Sequence, residues 1–549
     1  MGHCELAAPT HRRRPAAALL RLEEKPVARA VGVFDLTAPA TLKSVCFAFL
    51  TLGVLWRLVR YTLQFPIWGD EAFVCLNFLD QNYAALLGPL KCGQVAPLLF
   101  LWGELAAYQW LGGSELAVRL IPLLAGLGSM FLFYRLAWRT LPPLAATIAV
   151  GILAVAYWPV AMSNTVKPYS LDLLMALALL VPAVEWLRSP SQSRWLTVLT
   201  GLCPLAIFSS YPAVFVAGAV SLAILPELWR NARRLDWARY AVLNVVLIGA
   251  FLLHFGLVAT RQLSPESGRL ESYLQNYWAD GFPPANIGEF GPWLLRIHTG
   301  RMCAYPIGSS NGGSVVTTLL FVVGLICLVR QRRVNPGLLV LLTAPFLLNF
   351  VAAVLGKYPY GGCCRLSQHL APAICLLAGW GLSTVIEQFS HTRTDQRRWM
   401  MALCVGLALV PAVGMARDFY RPYKDLRVLH ARERFQQLLA LVAPHDRICV
   451  LCPREQVDPV HRWLLSQYGN RIEWDSRAVV ESNMAEQTVW GLDFHGSASP
   501  DLEAMYFGQY SLQHAEVDCR VYQRGQLRKS SRFDLSQVSS TNHANWAVP

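Results

Sequence analysis

Charge is scarce in this sequence. Only 15% of its 549 residues are Asp, Glu, Lys or Arg, against 54% hydrophobic, which excludes an ordinary soluble enzyme. Also missing are a dinucleotide fingerprint and a P-loop. The Gly-rich stretch 308–314 lacks the required spacing, so a nucleotide donor is disfavoured. No signal-peptide pattern precedes the first apolar run. His11-Arg12-Arg13-Arg14 lies far upstream of Leu42, with Pro15, Glu23, Glu24 and Pro26 between. No internal repeat is visible. Cys449-Val450-Leu451-Cys452 has no second pair nearby, so packing accounts for it better than metal or redox chemistry.

What is present is a succession of apolar runs near the length that crosses about 30 Å of hydrocarbon. Eleven candidate spans follow: 42–59, 116–133, 144–162, 171–187, 195–209, 213–229, 240–259, 315–329, 337–355, 370–386 and 399–415. Pro182 and Pro204 are expected to shorten or bend the fourth and fifth. The net charge of +13 arises from short basic clusters between runs, which is how inner-side loops look; nucleic acid is rejected as a partner.

One short apolar stretch fixes the topology. Residues 97–111 contain Glu104 and Gln109; read as a helix in the outer interface, they leave every dense basic cluster inside. That places the N-terminus inside, the C-terminus outside and Asp70 outside. Residues 1–41 then form a cytoplasmic tail, and 42–416 a transmembrane module. Its outer side carries a loop at 62–115, with interfacial helices at 71–87 and 97–111, and an aromatic loop at 260–314. Residues 417–528 become polar and mixed, with a helix at 421–443, a strand at 447–451 and a helix at 459–468. They are expected to form a small external α/β-like domain before a polar tail, 529–549. The fold class is an all-α polytopic membrane protein with that small domain appended.

The stretch Phe65-Pro66-Ile67-Trp68-Gly69-Asp70-Glu71-Ala72-Phe73 sets two carboxylates among aromatics where the first span leaves the bilayer. Such a carboxylate has a raised proton affinity and can take a proton from a hydroxyl; an N-terminal helix cap is the bland alternative for Asp70. Asp172, opening the fourth span, is as well explained by the helix dipole. Against the inner bias, Arg57, Arg60, Lys91, Arg119, Lys167, Lys357 and Arg365 all fall outside. Each alone reads as a snorkelling residue; together they suit an anionic group, with phosphate the natural candidate. Lys167 and Arg365 are the strongest choices, while Arg119 has the alternative of bracing the loop through Glu115 or Glu104. Cys75, Cys92, Cys303, Cys363 and Cys364 would pair only in an oxidising compartment.

Three stretches carry a resemblance. Trp68-Gly69-Asp70-Glu71-Ala72, the run from Gln94-Val95-Ala96-Pro97 to Arg119-Leu120-Ile121-Pro122, and Thr165-Val166-Lys167-Pro168-Tyr169-Ser170-Leu171 resemble the polytopic glycosyltransferases of the C-type fold. The chain is most similar to the branch of protein O-mannosyltransferases and the aminoarabinose transferase of lipid A (glycosyltransferase family 39 and relatives). Lys167 stands where an Arg is commoner there, and Ala96-Pro97 replaces a double proline.

The resemblance implies a sugar donor on a polyprenyl phosphate, an acceptor hydroxyl on a lipid, glycan or protein, and inversion at the anomeric carbon. Asp70 would be the general base, and Glu71, Lys167, Tyr169, Asp172, Arg365 and Arg119 would bind substrate. The aromatic loop would cover the sugar. No cofactor is required; a divalent cation at Asp70, Glu71 or Asp172 is compatible with the set. The implied location is a bacterial cytoplasmic membrane with the site facing out. A lipid-linked sugar flippase is the main rival, since intramembrane charge and broken helices would mark one, and a non-catalytic scaffold is the third reading.

Overall fold

The computed structural model describes residues 38–231, 234–263, 268–308, 312–331, 336–442, 447–450, 454, 457–467, 472–474, 489–494, 511–515 and 519–524. The 529–549 tail, nearly all of the 1–41 tail and Cys452 lie outside them.

Among the described residues, nine helices are long and apolar enough to cross a membrane. They and two shorter apolar helices fall on the eleven expected runs. The first is α1 (Pro39–Thr62), whose opening proline costs no hydrogen bond at that position. The outer loop that follows holds α2 (Gly69–Asp80) and α3 (Leu98–Leu111). The expected helix 71–87 therefore stops at Asp80. Asn82 accepts the Ala85 N–H at 2.9 Å and starts a separate turn, as a short amide side chain tends to do.

The third expected span is two helices. Between α4 (Leu120–Thr140) and the next long helix lie α5 (Pro143–Ala154) and α6 (Tyr157–Met162). Pro159 explains the break: its ring clashes with a helical carbonyl four residues back, at Val155. Arg57 fills the gap, donating to the Ala154 carbonyl at 3.1 Å and to Gly53 at 2.9 Å. That fully buried guanidinium caps a broken helix and is not open to a ligand.

The bundle continues with α7 (Tyr169–Arg188), α8 (Arg194–Ser209) and α9 (Ala213–Asn231). Pro182 and Pro204 sit inside α7 and α8, which run on through them. Next come α10 (Arg234–His254), a π turn and α11 (Thr260–Gln262). The aromatic loop forms α12 (Gly268–Tyr277) and α13 (Ile287–Ile297). Four long helices close the module: α14 (Gly313–Arg330), α15 (Pro336–Val354), α16 (Ala371–Phe389) and α17 (Arg393–Tyr420). Helices α14 and α16 approach through glycine, as small residues allow between apolar helices. A Cβ on Gly324 or Gly381 would stand 1.9 Å from the facing carbonyl oxygen of Leu377 or Leu320.

Beyond α17 the chain forms α18 (Leu426–Leu441) and α19 (Pro459–Ser466). A five-stranded sheet joins β1 (Arg447–Val450), β2 (Ile472–Trp474), β3 (Val489–Phe494), β4 (Ser511–Ala515) and β5 (Cys519–Arg524) in the order β2-β1-β3-β5-β4. Strand β1 pairs in parallel with β2 and β3, while β5 is antiparallel to β3 and β4. The helix expected from residue 421 begins five residues later. Ile448, Trp463 and Leu465 share one apolar core with Ile67, Val74, Phe78 and Leu101, so this part of the chain packs directly on the outer loop.

Candidate functional site

The site is assembled by a buried carboxylate, Glu71, beside a half-buried one, Asp70. Trp68 ends the incoming chain in extended backbone and caps α2. Glu71 and Asp70 then share the first turn, where the helix dipole favours negative charge. Glu71 faces inward and is bidentate with Arg119, Nη2 to Oε2 at 2.9 Å and Nε to Oε1 at 3.2 Å, both side chains 3% exposed. Arg119 also donates to the Phe65 carbonyl. Glu71 Oε1 accepts the Val166 N–H at 2.9 Å. One carboxylate thus ties the outer loop, the start of α4 and the 163–168 connection together. Glu71 and Arg119, expected on the substrate, are spent on each other; their geometry is that of a brace.

Because Val166 is pinned, Lys167 is held over α2. Its Nζ lies 2.9 Å from Asp70 Oδ1 and donates to Gln94 Oε1 at 2.6 Å. Arg365 arrives from the loop between α15 and α16, with Nη1 3.0 Å from Asp70 Oδ2. That loop turns at Gly361 and Gly362, both at φ +71°, and a Cβ on Gly362 would meet the Gly281 backbone at 2.9 Å. Only glycine fits there. The close approach presses the loop onto the aromatic segment, and the Arg365 guanidinium stands 5.9 Å from the Tyr169 ring and 5.4 Å from Trp278.

Asp70 is therefore no cap: both oxygens face cations, and its side chain is 27% exposed. The expected rise in its proton affinity is reversed. Burial raises it, but Lys167 and Arg365, with Lys424 behind, outweigh burial and hold the carboxyl below the usual carboxylate value. Lys167 responds in kind, burial lowering its pKa and Asp70 restoring part of it. Neighbouring Glu104 is fully buried, and neither carboxyl oxygen finds a partner among the described residues. Burial, reinforced by the Glu71 charge, pushes it well above the usual range. Arg119 braces Glu71 at 2.9 Å and Glu115 at 3.7 Å, and makes no ion pair with Glu104 among the described residues.

The other outer cations are engaged elsewhere. Arg60 pairs with Asp418 at 2.7 Å, and Lys91 with Asp80, which Arg454 also reaches at 3.0 Å. Lys357 is not among the groups paired with Asp70. Asp172 is buried in the first turn of α7, beside Ser210 and Tyr358, and its Oδ1 has no hydrogen-bond partner among the described residues. The Ser170 hydroxyl is also without a partner among the described residues, whereas the Ser210 hydroxyl lies against Asp172. Among the described residues, no three His, Cys, Asp or Glu are grouped to hold a metal. Of the aromatic loop, Trp278 reaches the site, whereas Trp293 packs on Phe350 and Tyr360. Cys75, Cys92, Cys303, Cys363 and Cys364 are all thiols. A cavity of about 720 Å³, lined in part by Phe282, Trp293, Arg296 and Gly356, opens on the aromatic loop and does not include Asp70.

One residue of the cluster escaped sequence reasoning. Lys424, on the linker after α17, sets its ammonium 3.1 Å from the Trp68 ring centroid. Nothing local in Tyr423-Lys424-Asp425 distinguishes it from a solvated lysine.

No protein-family model matches the chain. It is 27% identical over 215 residues to the lipopolysaccharide core galacturonosyltransferase RgtA of Rhizobium johnstonii, covering 38% of this chain and 41% of that protein. The chain thus matches about two fifths of that relative's length. Two structures of ArnT from Cupriavidus metallidurans superpose over most of it. The one bound to undecaprenyl phosphate gives a TM-score of 0.50 over 87% of this chain and 97% of ArnT, and the apo form 0.52 over 88% and 98%, each at 14% identity. The chain shares the fold of ArnT: the polytopic C-type fold expected from its motifs.

Proposed function

We propose that this chain is an integral-membrane glycosyltransferase that moves a sugar from a polyprenyl-phosphate donor to an acceptor hydroxyl, with inversion. The observation that carries the reading is the pairing of Asp70 with Lys167 and Arg365, at 2.9 and 3.0 Å, from two separate loops. A carboxylate held by two cations at a partly open position is a base stored in its ionised form. A donor phosphate competes for the same cations. As it takes Lys167 and Arg365, Asp70 loses the charges that depress its proton affinity and becomes a stronger base. It accepts the proton of the acceptor hydroxyl, whose oxygen attacks the anomeric carbon opposite the phosphate. The sugar–oxygen bond breaks with its electron pair on the phosphate, where Lys167 and Arg365 stabilise the charge. The unpartnered Asp172 Oδ1 and Ser170 hydroxyl suit the hydroxyls of the sugar, because buried polar atoms need partners.

The comparisons support the substrate class: ArnT, with this fold, is described bound to undecaprenyl phosphate, and RgtA is named a galacturonosyltransferase. The distribution of charge supports a site at one leaflet. Arg119 and Lys167 mark the starts of α4 and α7, whereas Arg135, Arg139 and Arg188 gather with Glu185 at their far ends, about 30 Å away at 1.5 Å per residue. By the positive-inside rule the Asp70 end faces outward, in a bacterial inner membrane.

The test is transfer by purified protein in nanodiscs, supplied with polyprenyl-phosphate hexose, pentose or uronate and a lipid or glycan acceptor. Polyprenyl phosphate should be released with an inverted linkage in the product; a retained linkage would require a second carboxylate nucleophile and defeat the scheme. Cysteine labelling at positions 68 and 234 checks the sidedness: both accessible from one side would break it.

A further inference from the structure

We infer that Lys424 is a third cation of the lipid-phosphate site, engaged by the doubly charged phosphate that leaves, and that the C-terminal domain is there to hold it in place. This rests on the transferase reading above. Three observations converge on it.

The first is placement. The linker carrying Lys424 is pinned on both sides to the first span and the outer loop. Before it, Asp418 accepts from Trp56 Nε1 at 2.8 Å and pairs with Arg60 at 2.7 Å. After it, Arg432 donates to the Gln64 carbonyl at 2.6 Å and pairs with Glu115 at 3.3 Å. Farther on, Arg454 reaches Asp80 and the Trp463 ring lies 6.1 Å from Tyr108. Between these anchors the ammonium rests on the Trp68 ring, two residues before Asp70.

The second is charge. Asp70 is already shared by two cations, and the buried Glu71–Arg119 pair cancels itself. Lys424, by contrast, has no ion pair among the described residues, although Asp70, Glu71, Arg365 and Arg60 all act on it electrostatically. With the donor bound there are two anions, Asp70 and a singly charged phosphodiester, facing Lys167 and Arg365. Transfer moves the acceptor proton to Asp70 and leaves the electron pair of the broken sugar–oxygen bond on phosphate. A monoester results, largely dianionic near neutrality because its second pKa is about 6. The negative charge has migrated from the carboxylate to the phosphate, and Lys424 is the cation with no carboxylate to give up.

The third is the strain on that charge. Desolvation against Trp68, partly offset by Glu71, and repulsion by Arg365 lower the Lys424 pKa to about 8. The residue as a whole is exposed, and a pKa of about 8 leaves most of its charge in place near neutrality, yet an arriving anion stabilises it.

The experiment compares two probes on the full chain in nanodiscs: undecaprenyl phosphate, a monoester, and its methyl ester, a diester with one charge. At pH 7.5, Lys424→Gln should bind the monoester about tenfold more weakly, the scale of one charge-assisted contact, with diester affinity changed less than about twofold. Lys424→Arg should keep the preference, and wild type should lose part of it above pH 8 where the arginine variant does not. An equal loss for both probes, or none, would overturn the inference while leaving the transferase reading standing. Wild type that binds neither probe would overturn both. Unaltered melting temperatures for the two variants separate the charge effect from a folding defect.

Discussion

Replacing Asp70 by Asn should abolish transfer and, at the same time, tighten the binding of polyprenyl phosphate. The substitution keeps the shape and removes the charge. In the free protein Asp70 occupies Lys167 and Arg365 at 2.9 and 3.0 Å, with the three side chains 27%, 7% and 14% exposed. Exposed pairs contribute about 0–1 kcal/mol and buried ones about 3–5 kcal/mol when one partner is removed. A site this exposed falls between, so a phosphate forfeits about 1–2 kcal/mol by competing with the carboxylate. Removing the competitor should strengthen undecaprenyl phosphate binding by about 5- to 30-fold, since about 1.4 kcal/mol is tenfold. Turnover should fall by about 10²–10⁴, the usual contribution of a positioned base. The unliganded variant should also melt earlier, because two cations then face each other without an anion, and added phosphate lipid should restore the loss. Calorimetric titration in nanodiscs and thermal melting read both effects. Binding that is unchanged or weaker in Asp70→Asn would show that Asp70 and the lipid phosphate do not share these cations.

Three further outcomes follow from the same geometry. Lys167→Ala and Arg365→Ala should each cost more than about tenfold in donor affinity or turnover, about 1.4 kcal/mol or above; unchanged kinetics in both would remove the phosphate site. Glu71→Gln should destabilise the protein by about 3–5 kcal/mol by stranding buried Arg119, read as a fall in melting temperature with donor affinity lost as Lys167 moves; a wild-type melting curve would refute the brace. In pH profiles, a carboxyl held below its ordinary value stays ionised to lower pH, so kcat/KM for the donor should fall only below the ordinary carboxylate range. The acid limb of kcat should lie higher, because bound phosphate has drawn the cations off Asp70. Coincident limbs would argue against that exchange.

How legible this was in the sequence depended on the range of the forces involved. The spans were legible because hydrocarbon thickness fixes their length, and all eleven runs carry apolar helices. The break at Val155 was not, because Pro159 gives the same local signal whether a helix kinks or ends, and only Arg57, distant in sequence, makes the ending comfortable. Asp70, Lys167 and Arg365 stood out as charges on the side where insertion rules would not put them. Their mutual geometry did not: aromatics around Asp70 suggested a raised proton affinity, and two cations 97 and 295 residues away in sequence reverse it. Glu71 and Arg119 looked like substrate ligands for the same reason that they are a brace, since both roles require buried complementary charge. Lys424 was invisible because tertiary docking of the C-terminal domain, and nothing in its neighbours, puts it over Trp68.

The measurement that bears most directly on the whole account is the release of polyprenyl phosphate from a membrane lipid extract, followed by mass spectrometry with wild type and Asp70→Asn side by side. Release by wild type with acceptor present, reduced at least a hundredfold in the variant though it still binds the lipid, is the predicted result. Equal release by the two proteins would contradict it.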